Sequence, residues 1–345
     1  MKKRITVQDI ADELGLSRNT VSKAINNTGN ISPETKNLIF QKAAELGYKQ
    51  FALLQSGSSE AGQVSNREIA LFTRSVPSSQ HLSSTLLDSF QKKISLKGYR
   101  LTIYILRDDV ISSCSLPDNF NEESTDAILI LELFDRNYTK FLCEYNKPTL
   151  FVDSYANIYR DKFQSDLLYM ENKDSVYQLI LHLIDQNCSK IGFVGDHMHC
   201  HSFFQRWLGY EEAMKNHTDV PYKDYCILED DEMPYDQPDW LAEQIKKLPS
   251  LPDAFFCAND YLAICTIKAL RLINYKIPED IKIAGFDNSK ESEIIEPALT
   301  SVSLYGHRMG MIATDILFNR IQYPDLPYTI TYVQTDIVYR ASTEK

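Results

Sequence analysis

At 345 residues the chain is too long for one small domain, and 43% hydrophobic beside 24% charged residues can fill an ordinary buried core. No apolar run approaches the roughly 18 residues of a membrane span, and the opening MKKRITVQDIADEL lacks the apolar middle of a secretory signal, so a cytoplasmic location without membrane attachment is expected. The net charge of −11 is uneven: residues 1–50 hold eight Lys/Arg against five Asp/Glu, a net +3, leaving −14 for the rest. Such a basic head can meet phosphates that the acidic body repels. Seven cysteines, an odd number with no CxxC, fit reduced and packed thiols rather than a disulfide framework.

The first elements in chain order are helical. Thr6 can cap a helix whose third residue, Asp9, completes a capping box, and Val7, Ile10, Ala11 and Leu14 recur on one face. Gly15 can take the left-handed conformation that ends it. Leu16 plugs the turn and Ser17 caps a second helix, Arg18 to about Ile25, with Val21, Ala24 and Ile25 turned inward and Arg18, Asn19, Ser22 and Lys23 elsewhere. Ser32-Pro33-Glu34 opens a third helix with Leu38, Ile39, Ala43 and Leu46 as its stripe and Gly47 as its stop. Three short helices with a tight glycine turn are the helix-turn-helix arrangement, in which the start of the second helix enters the DNA major groove. Arg18 can bridge guanine O6 and N7, Asn19 can pair with adenine N6 and N7, and Lys23 reaches a base edge or a phosphate. Thr6, Ser17, Thr20, Ser22 and Asn26 complete the expected DNA-facing set, suited to positioning on the backbone. The competing reading is a packing module with a solvated charged face.

The stretch TVQDIADELGLSRNTVSKAINNTGNISPETKNLIFQKAAELGY resembles, over its full length, the DNA-binding head of the lactose-repressor (LacI/GalR) family. The resemblance implies an operator-binding homodimer and base contacts from Arg18, Asn19 and Lys23. A Ser/Gly-rich linker follows, ending near Asn66, so the expected domains are a head (1–49), a hinge or linker (50–66) and a body (67–345). The family holds Pro-Asn and a hinge helix here, with a leucine wedged into the minor groove. This chain has Gln50 and Phe51 instead, and Gly57 where the leucine would stand, so Leu53 and Leu54 are the candidates for a wedge in shifted register.

In the body, strands and helices alternate: strands at 67–73, RLTIYIL, DAILILEL, PTLFVD, KIGFVGD, YCILE, DAFFCAN and KIAGFDN, with helices between them. Two such series predict two α/β lobes with doubly wound parallel sheets and a ligand cleft at the facing strand ends. Arg74, Ser75, Asp153, Asp196, Asn259, Asp260 and Asp287 stand at those ends, and Arg206 begins the helix after GFVGD. Paired carboxylate, amide and guanidinium groups suit a polyhydroxylated small molecule, though any one of them could simply cap a helix. Segments such as GFVGD…FFQRWLGY, FFCANDYLAI, IAGFDN and PALTSVS resemble the periplasmic-binding-protein-like body of the same family. That resemblance implies effector contacts from Asp153, Arg206, Asn259 and Asp287, an aromatic wall at Tyr235, a sugar as effector, and crossings between lobes near 154–166, 284–304 and 320–330. Arg74 joins the effector set from its strand end.

GDHMHCHSFF gathers His197, His199, Cys200 and His201, zinc or copper ligand types, but no second segment supplies partner ligands. A metal-responsive regulator is therefore an alternative reading, as is a sugar-binding module without a DNA role. No cofactor is expected, and the absence of P-loop, GxSxG and HExxH patterns argues against an enzyme.

Overall fold

The computed structural model describes residues 6–25, 31, 32, 35, 36, 38, 39, 42, 46, 67–76, 82–158 and 163–344, with backbone alone for Ile25, Leu82 and Ser83. Asn26, Leu53 and Leu54 lie outside the described residues, as do Pro33, Ala43, Gly47, Gln50, Phe51 and Gly57. The chain forms two compact units, 1–66 and 67–345.

In the first unit, α1 spans Val7–Leu14 and α2 spans Arg18–Ile25. The Thr6 amide donates to Asp9 Oδ2 at 2.7 Å while the Asp9 amide donates to Thr6 Oγ1, the reciprocal capping box. Gly15 ends α1 at φ 64°, a left-handed conformation that would strain a side-chain-bearing residue. Ser17 Oγ caps α2 by accepting the Thr20 amide at 3.0 Å. A third helical stretch includes Thr35, Lys36, Leu38, Ile39 and Lys42, and Ser32 Oγ accepts the Thr35 amide. Ile10, Ala11, Val21, Ala24 and Ile39 are fully buried together, with Leu16 and Leu46 packed against them. Leu38, expected in this core, is instead 52% exposed; its neighbour Ile39 takes the inward position.

The second unit holds two sheets. The first has the order β10-β5-β4-β3-β1-β2 and the second β11-β9-β8-β7-β6. The strands of the first are β1 Glu68–Thr73, β2 Arg100–Ile105, β3 Thr125–Leu131, β4 Thr149–Val152, β5 Asp166–Met170 and β10 Ile330–Val333, all parallel. Those of the second are β6 Ile191–Val194, β7 Ala254–Cys257, β8 Lys282–Asp287, β9 Thr300–Ser303 and β11 Asp336–Val338, parallel except for β11. The helices are α3 Leu82–Ser95, α4 Asp108–Ser112, α5 Arg136–Glu144, α6 Lys173–Asp185, α7 His201–His217, α8 Pro238–Lys247, α9 Asp260–Leu272, α10 Lys290–Ile294 and α11 Gly306–Gln322.

The middle of β1, Ile69–Phe72, reads as an unbroken apolar run because helices cover both faces of the sheet. On one face of the first sheet, Ile69, Leu71 and Leu129 pack with Leu86 and Phe90 of α3 and Ala313 and Leu317 of α11, in a cluster that continues into the second lobe. On the other face, Phe72, Ile130 and Phe151 meet Tyr138 and Leu142 of α5. Gly310 lets α11 lie directly on α3: a Cβ there would collide with Ser89 Oγ and the Leu86 carbonyl.

The chain crosses between lobes three times: between β5 and α6, between β9 and α11, and between β10 and β11. The first and third crossings fall later than 154–166 and 320–330, because Asp166–Met170 and Ile330–Val333 are both strands of the first sheet. A buried carboxylate disguises β5: Asp166 accepts from Arg320 Nε at 2.8 Å and from the Thr329 amide at 2.8 Å. The expected strand YCILE is also absent. Tyr222–Tyr225 forms a 3-10 turn, and only Ile227 makes a bridge, to Val194, before the acidic run at Glu229. Among the described residues no helix is long and apolar enough to cross a membrane.

Candidate functional site

On the head, the buried face of α2 fixes where its other residues point. Val21 and Ala24 are buried, so Arg18, Asn19 and Lys23 are carried on the exposed side, with Thr20 and Ser22 half-buried. Ser17 and Thr6 are exposed at the helix starts, and Ser17 Oγ lies 2.8 Å from Thr20 Oγ1. A rigid helix thus presents a guanidinium, an amide and an ammonium from its first two turns.

In the body, an open cavity of about 820 Å³ lies at the strand ends of both lobes. It brings together Arg74, Asp153, Arg206, Asn259 and Asp287. Asp153, which directly follows β4, reaches to the second lobe, where its Oδ1 accepts the Ser202 amide at 3.2 Å near the N-terminus of α7. Arg206 is 3% exposed. Its Nε donates to Asn172 Oδ1 at 2.9 Å, its Nη1 to the Ala258 carbonyl at 2.5 Å and its Nη2 to Asp287 Oδ1 at 3.5 Å. Its guanidinium carbon sits 3.6 Å from the centre of the Phe286 ring. Asn259 caps α9, its Oδ1 accepting the Leu262 amide at 2.9 Å, and lines the cavity as well. Burial pushes the Asp287 carboxyl up to about 6, against the opposing pull of Arg206.

Two residues depart from the expected set. Tyr235 does not line this cavity: it is 7% exposed, donates its hydroxyl to the Glu229 carbonyl at 2.8 Å, and lines an adjoining depression of about 340 Å³ together with Asp196. Asp260 is buried behind the cleft, accepting from Ser301 Oγ at 2.6 Å and the Ser289 amide at 2.7 Å. Burial, reinforced by Asp287, raises its carboxyl to about 7. In the other direction, Glu132 lines the cavity without having been named, although it directly follows β3 and the strand-end rule applies to it. Phe134, Phe203, His199 and Asp231 also line its walls.

Glu132, Asp153 and Asp287 share a further trait. Each follows or closes a strand with positive φ, 53°, 65° and 113° respectively. For residues with a side chain such a backbone costs on the order of 1–3 kcal/mol. Three carboxylates are therefore held at the cleft against local preference.

The histidine loop disperses its donors. His199 Nδ1 pairs with Asp231 at 2.6 Å, His201 is buried with its ring 4.7 Å from that of Tyr169, and His197 lies 5.1 Å from the Trp207 ring. Burial lowers the pKa of His197 and of His201. The donor atoms close enough to share an ion, among the described residues, belong to Asp196, Asp230 and Asp231 instead.

A helix-turn-helix head and a two-lobed clamshell body in one chain are the plan of a DNA-binding transcription regulator. The family model for bacterial regulatory proteins of the lacI family matches residues 6–50, and that for a periplasmic binding protein-like domain matches residues 180–343. The HTH-type transcriptional repressor PurR of Mannheimia succiniciproducens is 23% identical over 341 residues, 99% of each chain. The HTH-type transcriptional regulator GalR of Streptococcus thermophilus is 27% identical over 356 aligned positions, 98% of this chain and 99% of its own. Among solved structures, the lac repressor dimer bound to operator and the anti-inducer ONPF superposes with a TM-score of 0.69 at 20% identity, covering 99% of each chain. A complex of the transcriptional regulator CelR with cellobiose gives 0.68 at 21% identity, covering 98% of this chain and 100% of its own. With a head that matches the lacI family of regulatory proteins, a body that matches a periplasmic binding protein-like domain, and relatives along nearly its whole length that are HTH-type regulators, the chain is a DNA-binding transcriptional regulator.

Proposed function

We propose that two copies of this chain bind a near-palindromic operator in the cytoplasm as a repressor, and that a small polyhydroxylated effector, a sugar, controls them from the body's cleft. The observation that carries the reading is the convergence of Arg74, Asp153, Arg206, Asn259 and Asp287 on one cavity formed at facing strand ends. Arg18 and Asn19 are the base-reading pair and Lys23 their neighbour, with Thr6, Ser17, Thr20 and Ser22 positioning the head on phosphates. The cellobiose complex of one structural neighbour supports a carbohydrate.

The cleft's charge narrows the chemistry. Glu132, Asp135, Asp153, Asp231 and Asp287 line it, against Arg74 and Arg206. Both guanidiniums already face carboxylates, Arg74 with Asp108 at 2.8 Å and Arg206 with Asp287 at 3.5 Å. A neutral or aminated sugar fits such a site better than a phosphorylated one, which would meet uncompensated negative charge.

Closure of the lobes on the effector favours one arrangement of the body, and the effector acts only through its differential affinity for open and closed states. The test is calorimetric titration of the full chain with neutral sugars, amino sugars and sugar phosphates. Binding by members of the first two groups, lost in Arg206→Ala, is the expected result. Sugar phosphates as the sole binders would overturn the charge argument, and binding undisturbed by Arg206→Ala would move the site elsewhere.

A further inference from the structure

We infer that the outer edge of β10 is a self-association surface that pairs with β10 of a second copy, antiparallel about a twofold axis at Ile330. β10 ends the first sheet, with β5 on one side and, among the described residues, no strand on the other. Edge strands are ordinarily protected by charge, bulges or a covering element. Here the run from Leu326 to Thr335, LPYTITYVQT, carries no charge, in a chain whose net charge is −11. Tyr328, Ile330 and Tyr332 are 52%, 55% and 52% exposed.

The sequence of this edge is a palindrome: Tyr-Thr-Ile-Thr-Tyr, residues 328–332, reads the same in both directions. A twofold axis at Ile330 places Ile330 opposite its own copy and Tyr328 opposite Tyr332, so that like meets like along the whole segment, as an isologous contact requires. The hydrogen-bond register agrees. The carbonyls of Thr329 and Val333 are spent on β5, accepting the Leu167 and Glu171 amides at 2.9 and 2.7 Å. Backbone groups alternate sides along a strand, so residues 328, 330 and 332 face outward. An antiparallel pair centred on Ile330 makes those same residues its hydrogen-bonded positions; a register slipped by one residue does not.

The side chains are already positioned for the contact. Arg320, anchored by Asp166, places its guanidinium carbon 4.6 Å from the Tyr328 ring centre, and the Tyr332 ring centre lies 5.4 Å from that of Tyr169. Pairing would set the two Ile330 side chains side by side between tyrosine pairs, the aromatic and β-branched combination that stabilises cross-strand contacts. The patch is small against the roughly 1,200 Å² of a specific stable interface, so association is concentration-dependent. A twofold here is compatible with a separate dimer contact elsewhere on the chain, which it would extend to a dimer of dimers.

Sedimentation velocity of the full chain from roughly 1 to 100 μM covers the range where such contacts form and dissociate. The parent should reach an assembly twice the mass of that formed by Ile330→Lys, whose charge blocks the edge. In case the lysine variant folds poorly, Ile330→Cys supplies a second readout. Opposed residues of a hydrogen-bonded pair lie about 5.5 Å apart at Cα, within disulfide range. Oxidation should link Ile330→Cys chains in pairs and leave Ile294→Cys, 81% exposed on the other lobe, no more linked than the parent. Equal masses for parent and a folded Ile330→Lys, or no excess linkage of Ile330→Cys over Ile294→Cys, would overturn the inference.

Discussion

Arg206 is a buried cation whose hydrogen bonds run to an amide, a carbonyl and a carboxylate, and it is the residue on which the cleft turns. Removing it leaves Asp287 facing the cavity without its cation. Arg206→Ala should destabilise the body by on the order of 2–3 kcal/mol, less than a fully buried pair because Asp287 keeps some solvent contact. The pair of carboxyls behind it gives a pH signature. Asp260 is raised to about 7 and Asp287 to about 6 from an ordinary 3.8. Between about pH 4 and pH 7 the folded state therefore holds protons that the unfolded chain has released, so this contribution to stability falls as pH rises through that window and is level above it. Asp260→Asn keeps an acceptor for the Ser289 amide but cannot ionise, so its melting temperature should gain on the parent's as pH is raised from about 5 to about 8. Parallel melting curves across that range would show that Asp260 does not titrate there.

At the scale of elements, the close contact of α3 with α11 depends on Gly310, where even a methyl group overlaps Ser89 and Leu86. Gly310→Ala should cost about 1–3 kcal/mol by overpacking, more than the helix propensity of alanine returns, and lower the thermal midpoint accordingly. A midpoint equal to or above the parent's would mean the helices separate without penalty. Element by element, the head was the most legible part of the chain. Thr6 with Asp9, Gly15, and Ser17 with Thr20 are local signals that need no tertiary context, and the capping hydrogen bonds are formed. Strand-helix alternation in the body was legible for the same reason, since short apolar runs such as Ile69–Phe72, set between longer stretches of helical period, read as strands covered on both faces. The crossings between lobes were not, because Asp166 is paired with Arg320 across more than 150 residues and nothing local marks it as buried. YCILE failed because its apolar residues serve a turn and a single bridge. In the cleft, the strand-end rule located Arg74, Asp153, Asn259 and Asp287 and could have located Glu132, which stands just past DAILIL. Tyr235, named from the family resemblance alone, turns its hydroxyl to the backbone of its own loop.

At the scale of the molecule, charge is divided between the two units: +2 on residues 1–66 and −13 on residues 67–345. The acidic body repels nucleic acid wherever the head does not hold it, so non-specific affinity should be low. The proposed reading joins this division to the clamshell, with bases recognised by one unit and a metabolite by the other. Its most direct test is fluorescence anisotropy of the full chain on a duplex that the chain itself has selected from a randomised pool, at several salt concentrations. Arg18→Ala and Asn19→Ala should each weaken binding by about tenfold or more and relax the preference for one base, with affinity in the parent falling linearly in log salt. A double variant that binds the selected duplex as tightly as the parent, with the same base preferences, would contradict the account.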